Sequence, residues 1–303
     1  MTGRGVNHSE LPEAVRRIYP WPGKGLDLEG GRRLHFVDEG KGEPVLMVHG
    51  NPTWSFYYRG LIRALSAERR CVVPDHLGCG LSDKPLNWSY RLADHINNLN
   101  QLITHLDLRD ITLVVHDWGG PIGFGAAIEQ PQRFKRLVIF NTAVFEGPVP
   151  LRIRMCRWPV LGSVMVRGLN AFLRIALRVG FAKRVASEVR AGYLAPYDSW
   201  HHRVAIHRFV QDIPVEHDHA TRPLIEELDR RTHMFNQLPT LIVWGEQDFV
   251  FNGEVLQEWR IRFPAADIHP LPHAAHFVVE DAQYEIVALL IDFFARHPLS
   301  QPV

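Results

Sequence analysis

One stretch decides the fold of this chain: Ile111-Thr112-Leu113-Val114-Val115-His116-Asp117-Trp118-Gly119-Gly120. Its first five residues are aliphatic or β-branched and predict a buried strand, and the glycines after Trp118 open a helical pattern. A sharp turn between a strand and a helix lifts its central side chain out of the sheet, so we expect Asp117 at the floor of a pocket. A carboxylate there suggests covalent attack on carbon, with an enzyme ester as the intermediate.

Partners elsewhere in the chain favour this catalytic interpretation of Asp117 over the alternative, a helix cap. An α/β-hydrolase carries its nucleophile, acid and histidine in that chain order. The acid candidate is Asp248 and the histidine candidate is His276, each just beyond a predicted strand. Carboxyl ends of parallel strands meet at one edge of a sheet, so the three side chains are expected to converge. Glu246 and His273 are the nearby alternatives.

Composition predicts an ordinary globular protein. The chain has 303 residues, of which 46% are hydrophobic and 22% charged, and its formal net charge of +1 gives no reason to expect a nucleic-acid partner. The three cysteines, Cys71, Cys79 and Cys156, lack paired metal-ligand spacing and favour a reducing compartment. The N-terminus has no apolar signal segment and no run reaches a membrane span, so we expect a cytoplasmic protein. No metal or organic cofactor is implied.

Short apolar runs recur between helical stretches and predict a mostly parallel sheet covered by helices. The predicted strands are residues 33–38, 45–49, 71–74, 111–115, 137–141, 241–244 and 268–271. The last is the weakest, because Pro270 cannot donate to a strand ladder.

The strand rhythm stops for about a hundred residues after Asn141 and resumes at Leu241. A helical insertion explains this gap, with long amphipathic patterns over residues 164–189 and 197–212. We therefore expect an α/β core in two parts, residues 1–143 and 238–303, and a helical cap over residues 144–237. Open α/β sheets bind ligands at the carboxyl ends of their strands, where the cap would lie.

The insertion is strongly basic between residues 151 and 190. It carries nine arginines and lysines against the single acid Glu188, among apolar residues at helical spacing. A solvated face is the favoured interpretation of this pattern. Contact with a second copy of the chain, or with an anionic membrane surface, is the alternative. We expect Leu173 and Leu177 on the apolar stripe that a second copy would bury.

Two loops follow early strands. Residues 49–54 stand where the second oxyanion-hole N–H of this fold originates, so Asn51 would supply that N–H and a side-chain amide. The sequence Gly-Asn-Pro is equally suited to a turn. Residues 75–83 form a Gly-rich turn with an expected structural role, because no Lys-Ser/Thr follows its glycines as a phosphate loop requires.

These motifs together resemble haloalkane dehalogenases, from about residue 20 onward. The matching stretches are residues 49–55 (HGNPTWS), 80–85 (GLSDKP), 116–120 (HDWGG) and 276–281 (HFVVED). The resemblance implies Asp117 as nucleophile, His276 as base, Asp248 as its orienting acid, and Asn51 with Trp118 as the halide-binding pair. Some members take the acid from the end of the preceding strand. Asn141 and Thr142 stand there in this chain, which favours Asp248.

The chemistry of carbon–halogen hydrolysis fits these residue types. A carboxylate such as Asp117 is ionised at neutral pH and attacks an sp³ carbon unaided. The leaving halide is held by N–H donors, here Trp118 and Asn51, and His276 then activates a water that hydrolyses the ester. The expected substrate is small and apolar, a haloalkane or a lipid-derived lactone.

Three other functions compete with this interpretation. Epoxide hydrolases share the aspartate turn and protonate the substrate with cap tyrosines, for which Tyr193 and Tyr197 are available, but Asn51 argues against them. The β-lactone decarboxylases of bacterial olefin biosynthesis resemble the chain in the same motifs and in cap residues 195–197 and 208–214, and the motifs do not separate them from dehalogenases. A non-enzymatic scaffold is disfavoured by the complete set of Asp117, Asp248 and His276.

Overall fold

A single eight-stranded sheet forms the centre of the computed structural model, which describes residues 3–299. The strands are β1 (Lys24–Leu28), β2 (Arg32–Glu39), β3 (Pro44–Val48), β4 (Arg70–Pro74), β5 (Ile111–Val115), β6 (Phe134–Ile139), β7 (Thr240–Gly245) and β8 (Asp267–Leu271). Their order is β1-β2-β4-β3-β5-β6-β7-β8; β2 is antiparallel to β1 and β4, and every other pair is parallel. The predicted α/β-hydrolase fold is confirmed.

The seven predicted strands are all present, and β1 is the one strand of this sheet that the sequence did not predict. In β1 just two side chains, Leu26 and Leu28, are buried, so its alternation is too short to identify. β8 tolerates Pro270 because it is the edge strand and pairs only with β7.

Helices cover the sheet and fill the insertion. They are α1 (Glu13–Ile18), α2 (Arg59–Leu65), α3 (Leu92–His105), α4 (Gly119–Glu129), α5 (Leu151–Met155), α6 (Pro159–Ser163), α7 (Ala171–Val179), α8 (Ser187–Leu194), α9 (Val204–Gln211), α10 (Arg222–Thr232), α11 (Gly253–Arg262), α12 (Val278–Asp281) and α13 (Gln283–Arg296). Helices α5 to α10 lie between β6 and β7, within the predicted insertion. The outermost residues of the two predicted core parts, 1–2 and 300–303, lie outside the described residues.

The amphipathic helical pattern over residues 164–189 does not form one continuous helix. The structure divides it into a π-helical turn, Val164–Gly168, and the helices α7 and α8. The first break is at Asn170, whose φ is +53°, a left-handed conformation that ends regular helix. Likewise, only α9 is an α-helix within the pattern predicted over residues 197–212.

Helix α7 also corrects the expected apolar stripe. Leu173 and Leu177 are buried inside the molecule, so they are not available to a second copy. The outward apolar residues of α7 are Ile175 and Val179. Among the described residues no single helix is long and apolar enough to cross a membrane; the pair Val160–Gly168 and Ala171–Val179, bent by 66°, meets those criteria only when its parts are joined.

Candidate active site

Asp117 occupies the turn between β5 and α4. Its φ is +50°, a left-handed conformation that costs a non-glycine residue on the order of 1–3 kcal/mol. The two following glycines are needed for close packing. A Cβ on Gly119 would lie 2.0 Å from the carbonyl oxygen of Val48, and one on Gly120 would lie 2.0 Å from Thr142 Oγ1. The turn thus holds the Asp117 side chain above the carboxyl ends of the strands, as predicted from the sequence.

Two backbone N–H groups lie at the Asp117 carboxylate. The N–H of Asn51 donates to Asp117 Oδ1 at 2.6 Å. The N–H of Trp118 lies close enough to lower the pKa of the carboxyl group. Burial raises the pKa of Asp117, and together with the charge of Asp248 it outweighs the opposing influence of the His276 charge and of the two N–H donors. The same donors stand where an oxyanion on this carboxyl group would need them.

His276 lies between two carboxylates. Its Nδ1 donates to Asp248 Oδ2 at 2.8 Å, and its Nε2 is 4.0 Å from Asp117 Oδ2, too far for a direct hydrogen bond. Burial alone would lower the pKa of His276. The charge of Asp248, the hydrogen bond to it and the charge of Asp117 outweigh burial and raise that pKa. The structure therefore brings together the three residues that the sequence analysis selected.

Two further side chains fix the geometry of this trio, and sequence reasoning assigned neither of them a role. Asn141, just beyond β6, donates from Nδ2 to Asp248 Oδ2 at 3.0 Å and to the carbonyl oxygen of Gly245 at 3.0 Å. His116 Nε2 bonds the backbone oxygen of His276 at 2.8 Å. Burial is the largest of the causes that lower the pKa of His116, which favours a neutral ring. The sequence feature that could have identified Asn141 and His116 is their position at strand ends, beside predicted site residues.

The alternative acid and base candidates lie away from this site. His273 is exposed, and its Nε2 is 3.1 Å from Glu285 Oε2. Glu246 is also exposed. Asp248 is buried, with its carboxylate facing His276, so it and not Glu246 occupies the position of an orienting acid.

The two cap tyrosines considered as acids are engaged elsewhere. The Tyr193 hydroxyl donates to Glu280 Oε1 at 2.5 Å, and the Tyr197 hydroxyl donates to the carbonyl oxygen of Thr53 at 3.1 Å. Both side chains are fully buried and neither is among the residues that line the cavity above Asp117. This placement removes the support for an epoxide hydrolase.

Asn51 and Trp118 both line the cavity above Asp117. The Asn51 amide uses one N–H on the carbonyl oxygen of Ile206 in α9, at 3.2 Å, which leaves its second N–H for a ligand. The indole N–H of Trp118 has no acceptor among the described residues, and its ring packs against Phe209 with centroids 5.4 Å apart. Two N–H donors are thus free at one end of an apolar cavity.

The cavity has a volume of about 380 Å³ and lies between the sheet and the insertion. Asp117 is at its floor. Most of its cap side is apolar, with Ile153, Phe172 and Val210 in the wall, and the charged residues Glu146, Arg154 and Arg222 also line it. Phe251 forms another part of the wall and stacks on His276, with ring centroids 5.9 Å apart. Within the described residues no group of three or more His, Cys, Asp or Glu side chains could hold a metal ion.

Comparison with known proteins first defines the class. Residues 43–167 match the family described as alpha/beta hydrolase fold. A solved haloalkane dehalogenase from Agrobacterium tumefaciens superposes with a TM-score of 0.81, at 27% identity, over 90% of this chain and 96% of that one. Together with the sheet order, these matches make the protein an enzyme of the α/β-hydrolase class.

Curated relatives narrow the class. The chain is 46% identical to a cis-3-alkyl-4-alkyloxetan-2-one decarboxylase of Shewanella oneidensis. The match covers 88% of this chain and 86% of the relative. It is 34% identical to haloalkane dehalogenase 2 of Mycobacterium tuberculosis, over 92% and 96% of the two chains. The chain belongs to the haloalkane dehalogenase family of α/β-hydrolases, to which these decarboxylases are related. The resemblance expected from the sequence is confirmed at this level.

Proposed function

We propose that this enzyme decarboxylates cis-3,4-dialkyl oxetan-2-ones, which are β-lactones, to an alkene and carbon dioxide. The observation that carries the proposal is the identity of 46% with the Shewanella oneidensis decarboxylase, against 34% with the Mycobacterium tuberculosis dehalogenase over a similar share of the chain. The apolar cavity above Asp117 suits a substrate with two alkyl chains.

The reaction follows from the Asp117 carboxylate. One of its oxygens bonds ring carbon C4 while the C4–O bond breaks, and the electron pair leaves on the ring oxygen as a carboxylate. The bond between that carboxylate carbon and C3 then breaks. Its electron pair forms the C3–C4 double bond, the bond from C4 to Asp117 breaks, and carbon dioxide departs. No water is consumed, and Asp117 returns as a carboxylate.

The raised pKa of His276 supports this route. In the second step Asp117 is the leaving group, and a protonated His276 with Nε2 4.0 Å away stabilises the departing carboxylate. Apolar walls favour loss of carbon dioxide from a carboxylate, because its charge is dispersed in the transition state. The proposal therefore assigns His276 an electrostatic role, with Asp248 fixing its orientation.

The test is turnover of a synthetic cis-3,4-dialkyl oxetan-2-one, with alkene measured by gas chromatography and mass spectrometry. The wild type should release alkene, and Asp117→Asn, which keeps the shape but removes the nucleophile, should release none. A matched bromoalkane, followed by bromide release, is the comparison substrate. Bromide release without consumption of the lactone would overturn the proposal, and so would conversion of the lactone to a hydroxy acid.

Haloalkane hydrolysis is the second candidate, favoured by the free indole N–H of Trp118 and the free amide N–H of Asn51. In this reaction Asp117 displaces the halide, and His276 then takes a proton from the water that attacks the ester. His276→Ala should accumulate an alkyl ester on Asp117, detectable by mass spectrometry of the peptide. Iodide should quench tryptophan fluorescence saturably in the wild type and not in Trp118→Phe.

The pH profile separates the two candidates. The water step needs neutral His276, whose pKa is raised above its ordinary value near 6.5. The rate of dehalogenation should therefore increase as the pH rises through the folded pKa of His276. Decarboxylation needs no base and should not show this increase. Lactone turnover that rises with pH like bromide release would contradict the electrostatic role of His276.

A further inference from the structure

We propose that the outer face of the insertion docks on an anionic lipid bilayer. We define this cap face as the outward surface of residues 151–179, which include α5, α6, the π-helical turn and α7, together with the adjacent Trp200. Eight large apolar side chains in residues 151–179 are between 36% and 79% exposed: Leu151, Trp158, Val160, Leu161, Val164, Leu169, Ile175 and Val179. Large apolar side chains concentrated on one surface mark a binding site.

Helix α7 displays the pattern of an interfacial helix. Leu173 and Leu177, four residues apart, point into the molecule and are buried. The opposite side presents Ile175 and Val179, also four residues apart, and exposed arginines stand directly before each of them at 174 and 178. A helix with apolar residues flanked by arginines lies in the headgroup region of a membrane, with its apolar side toward the acyl chains.

The charge of the cap face favours lipid over a second copy of the chain. Three exposed arginines of this face, Arg152, Arg174 and Arg178, have no carboxylate partner among the described residues. Arg154, also exposed, lines the catalytic cavity instead. The single acid between residues 151 and 190 is Glu188. Two copies meeting through this face would bring positive charges together, whereas anionic headgroups would neutralise them.

Aromatic residues add a second feature of a membrane interface. Trp158 is 53% exposed and Trp200 is 45% exposed, although tryptophan is normally well buried. The Arg167 guanidinium lies 4.6 Å from the centre of the Trp200 ring. Tryptophan beside basic residues is typical of the level at which proteins meet lipid headgroups.

The cap face and the catalytic cavity are opposite sides of the same helices. Ile153 of α5 and Phe172 of α7 line the cavity, while Leu151 and Ile175 of these helices are exposed on the outside. A membrane-dissolved apolar substrate would thus reach Asp117 after crossing one layer of helices. That consequence rests on the proposed function; the docking itself holds for either candidate activity.

Vesicle flotation of the full-length protein tests the proposal. Vesicles of phosphatidylglycerol with phosphatidylcholine should carry the protein upward, vesicles of phosphatidylcholine alone should carry far less, and roughly 0.5 M salt should weaken the binding. Each arginine near an anionic surface contributes about fivefold in affinity. The double variant Arg174→Gln with Arg178→Gln should therefore bind roughly thirtyfold more weakly.

The matched control is Arg17→Gln with Arg260→Gln, because both arginines are exposed, outside the cap face, and without a carboxylate partner among the described residues. This variant should bind like the wild type, and equal urea midpoints should establish that both variants are folded. Failure to bind anionic vesicles, or equal losses in the two variants, would overturn the proposal. The protein could also be a dimer in light scattering that does not bind vesicles and that dissociates in the double variant of Arg174 and Arg178. That result would show that the cap face binds a second copy of the chain instead of lipid.

Discussion

At the scale of single residues, position after a strand carries most of the information about the site. Asp117, Asp248 and His276 could be selected from the sequence because each follows a parallel strand, and such ends meet at one edge of the sheet. The role of Asn141 as a hydrogen-bond donor to Asp248 could not be predicted, because it depends on β6 and β7 being neighbours in the sheet. Chain order predicts which elements exist more readily than which ones pair.

Moving the orienting carboxylate from position 248 to position 141 tests the geometry around His276. Asp248 Oδ2 accepts both His276 Nδ1 and Asn141 Nδ2, so the two donors meet at one oxygen. For haloalkane hydrolysis, the second candidate activity, Asp248→Asn should reduce bromide release on the order of 10³–10⁴-fold, by analogy with an orienting aspartate elsewhere. The double variant Asn141→Asp with Asp248→Asn should recover at least tenfold of this loss, since it puts a carboxylate beside the position of the original one.

Asn141→Asp alone is the control for this exchange. It places a second carboxylate against Asp248, and like charges at that distance raise the pKa of one of the pair. Its rate should fall without the gain seen in the double variant. A double variant no more active than Asp248→Asn would mean that Asn141 supports Asp248 but cannot replace it. Rates of bromide release at fixed pH provide the measurement.

At the scale of elements, the four-residue helix α12 connects the core to the insertion. Glu280 forms two hydrogen bonds with Arg59 of α2 and accepts the Tyr193 hydroxyl of α8. Asp281 accepts the N–H groups of Ala182 and Ala275, one in the insertion and one beside His276. The sequence pattern identified this segment as part of the family motif. Its contacts could not be predicted, because they join elements that are distant in sequence.

Removing the Glu280 carboxylate should show how much the contacts of α12 contribute to the free energy of unfolding. Glu280→Ala leaves the Arg59 guanidinium, which is nearly buried, without its partner, and breaking such a pair costs about 3–5 kcal/mol. Urea unfolding should show a loss of this size. The control Glu285→Ala removes an exposed partner of His273 and should change the free energy of unfolding by less than about 0.5 kcal/mol. Equal losses would show that Glu280 does not stabilise the fold through Arg59.

At the scale of the whole molecule, folding encloses several histidines that have no acid beside them. Burial lowers the pKa of His95 to about 3 and that of His207 to about 4. Both ring nitrogens of His95 lack a hydrogen-bond partner among the described residues. His276 differs, because Asp248 raises its pKa. Composition reveals seventeen histidines, but only the fold determines which of them are buried without a counter-ion.

These buried histidines should make the protein sensitive to acid. Between the ordinary pKa near 6.5 and the lowered folded value, the unfolded chain binds a proton that the folded chain does not. Stability from each histidine is therefore complete above pH 6.5 and is lost as the pH falls, by up to about 1.4 kcal/mol per pH unit. His276 has the opposite sign: its contribution is present below pH 6.5 and is lost as the pH rises through its folded value.

Replacing His95 with phenylalanine should reduce this acid sensitivity. The His95 ring already stacks on Phe209, with centroids 4.5 Å apart, so a phenyl ring fits the site without needing a proton. Urea unfolding at pH 7 and at pH 5 should show that His95→Phe loses about 2 kcal/mol less than the wild type over this interval. His217→Gln, at an exposed position, should lose as much as the wild type. His95→Phe could instead lose as much unfolding free energy between pH 7 and pH 5 as the wild type and His217→Gln. His95 would then be protonated inside the fold, and its burial would not limit stability in acid.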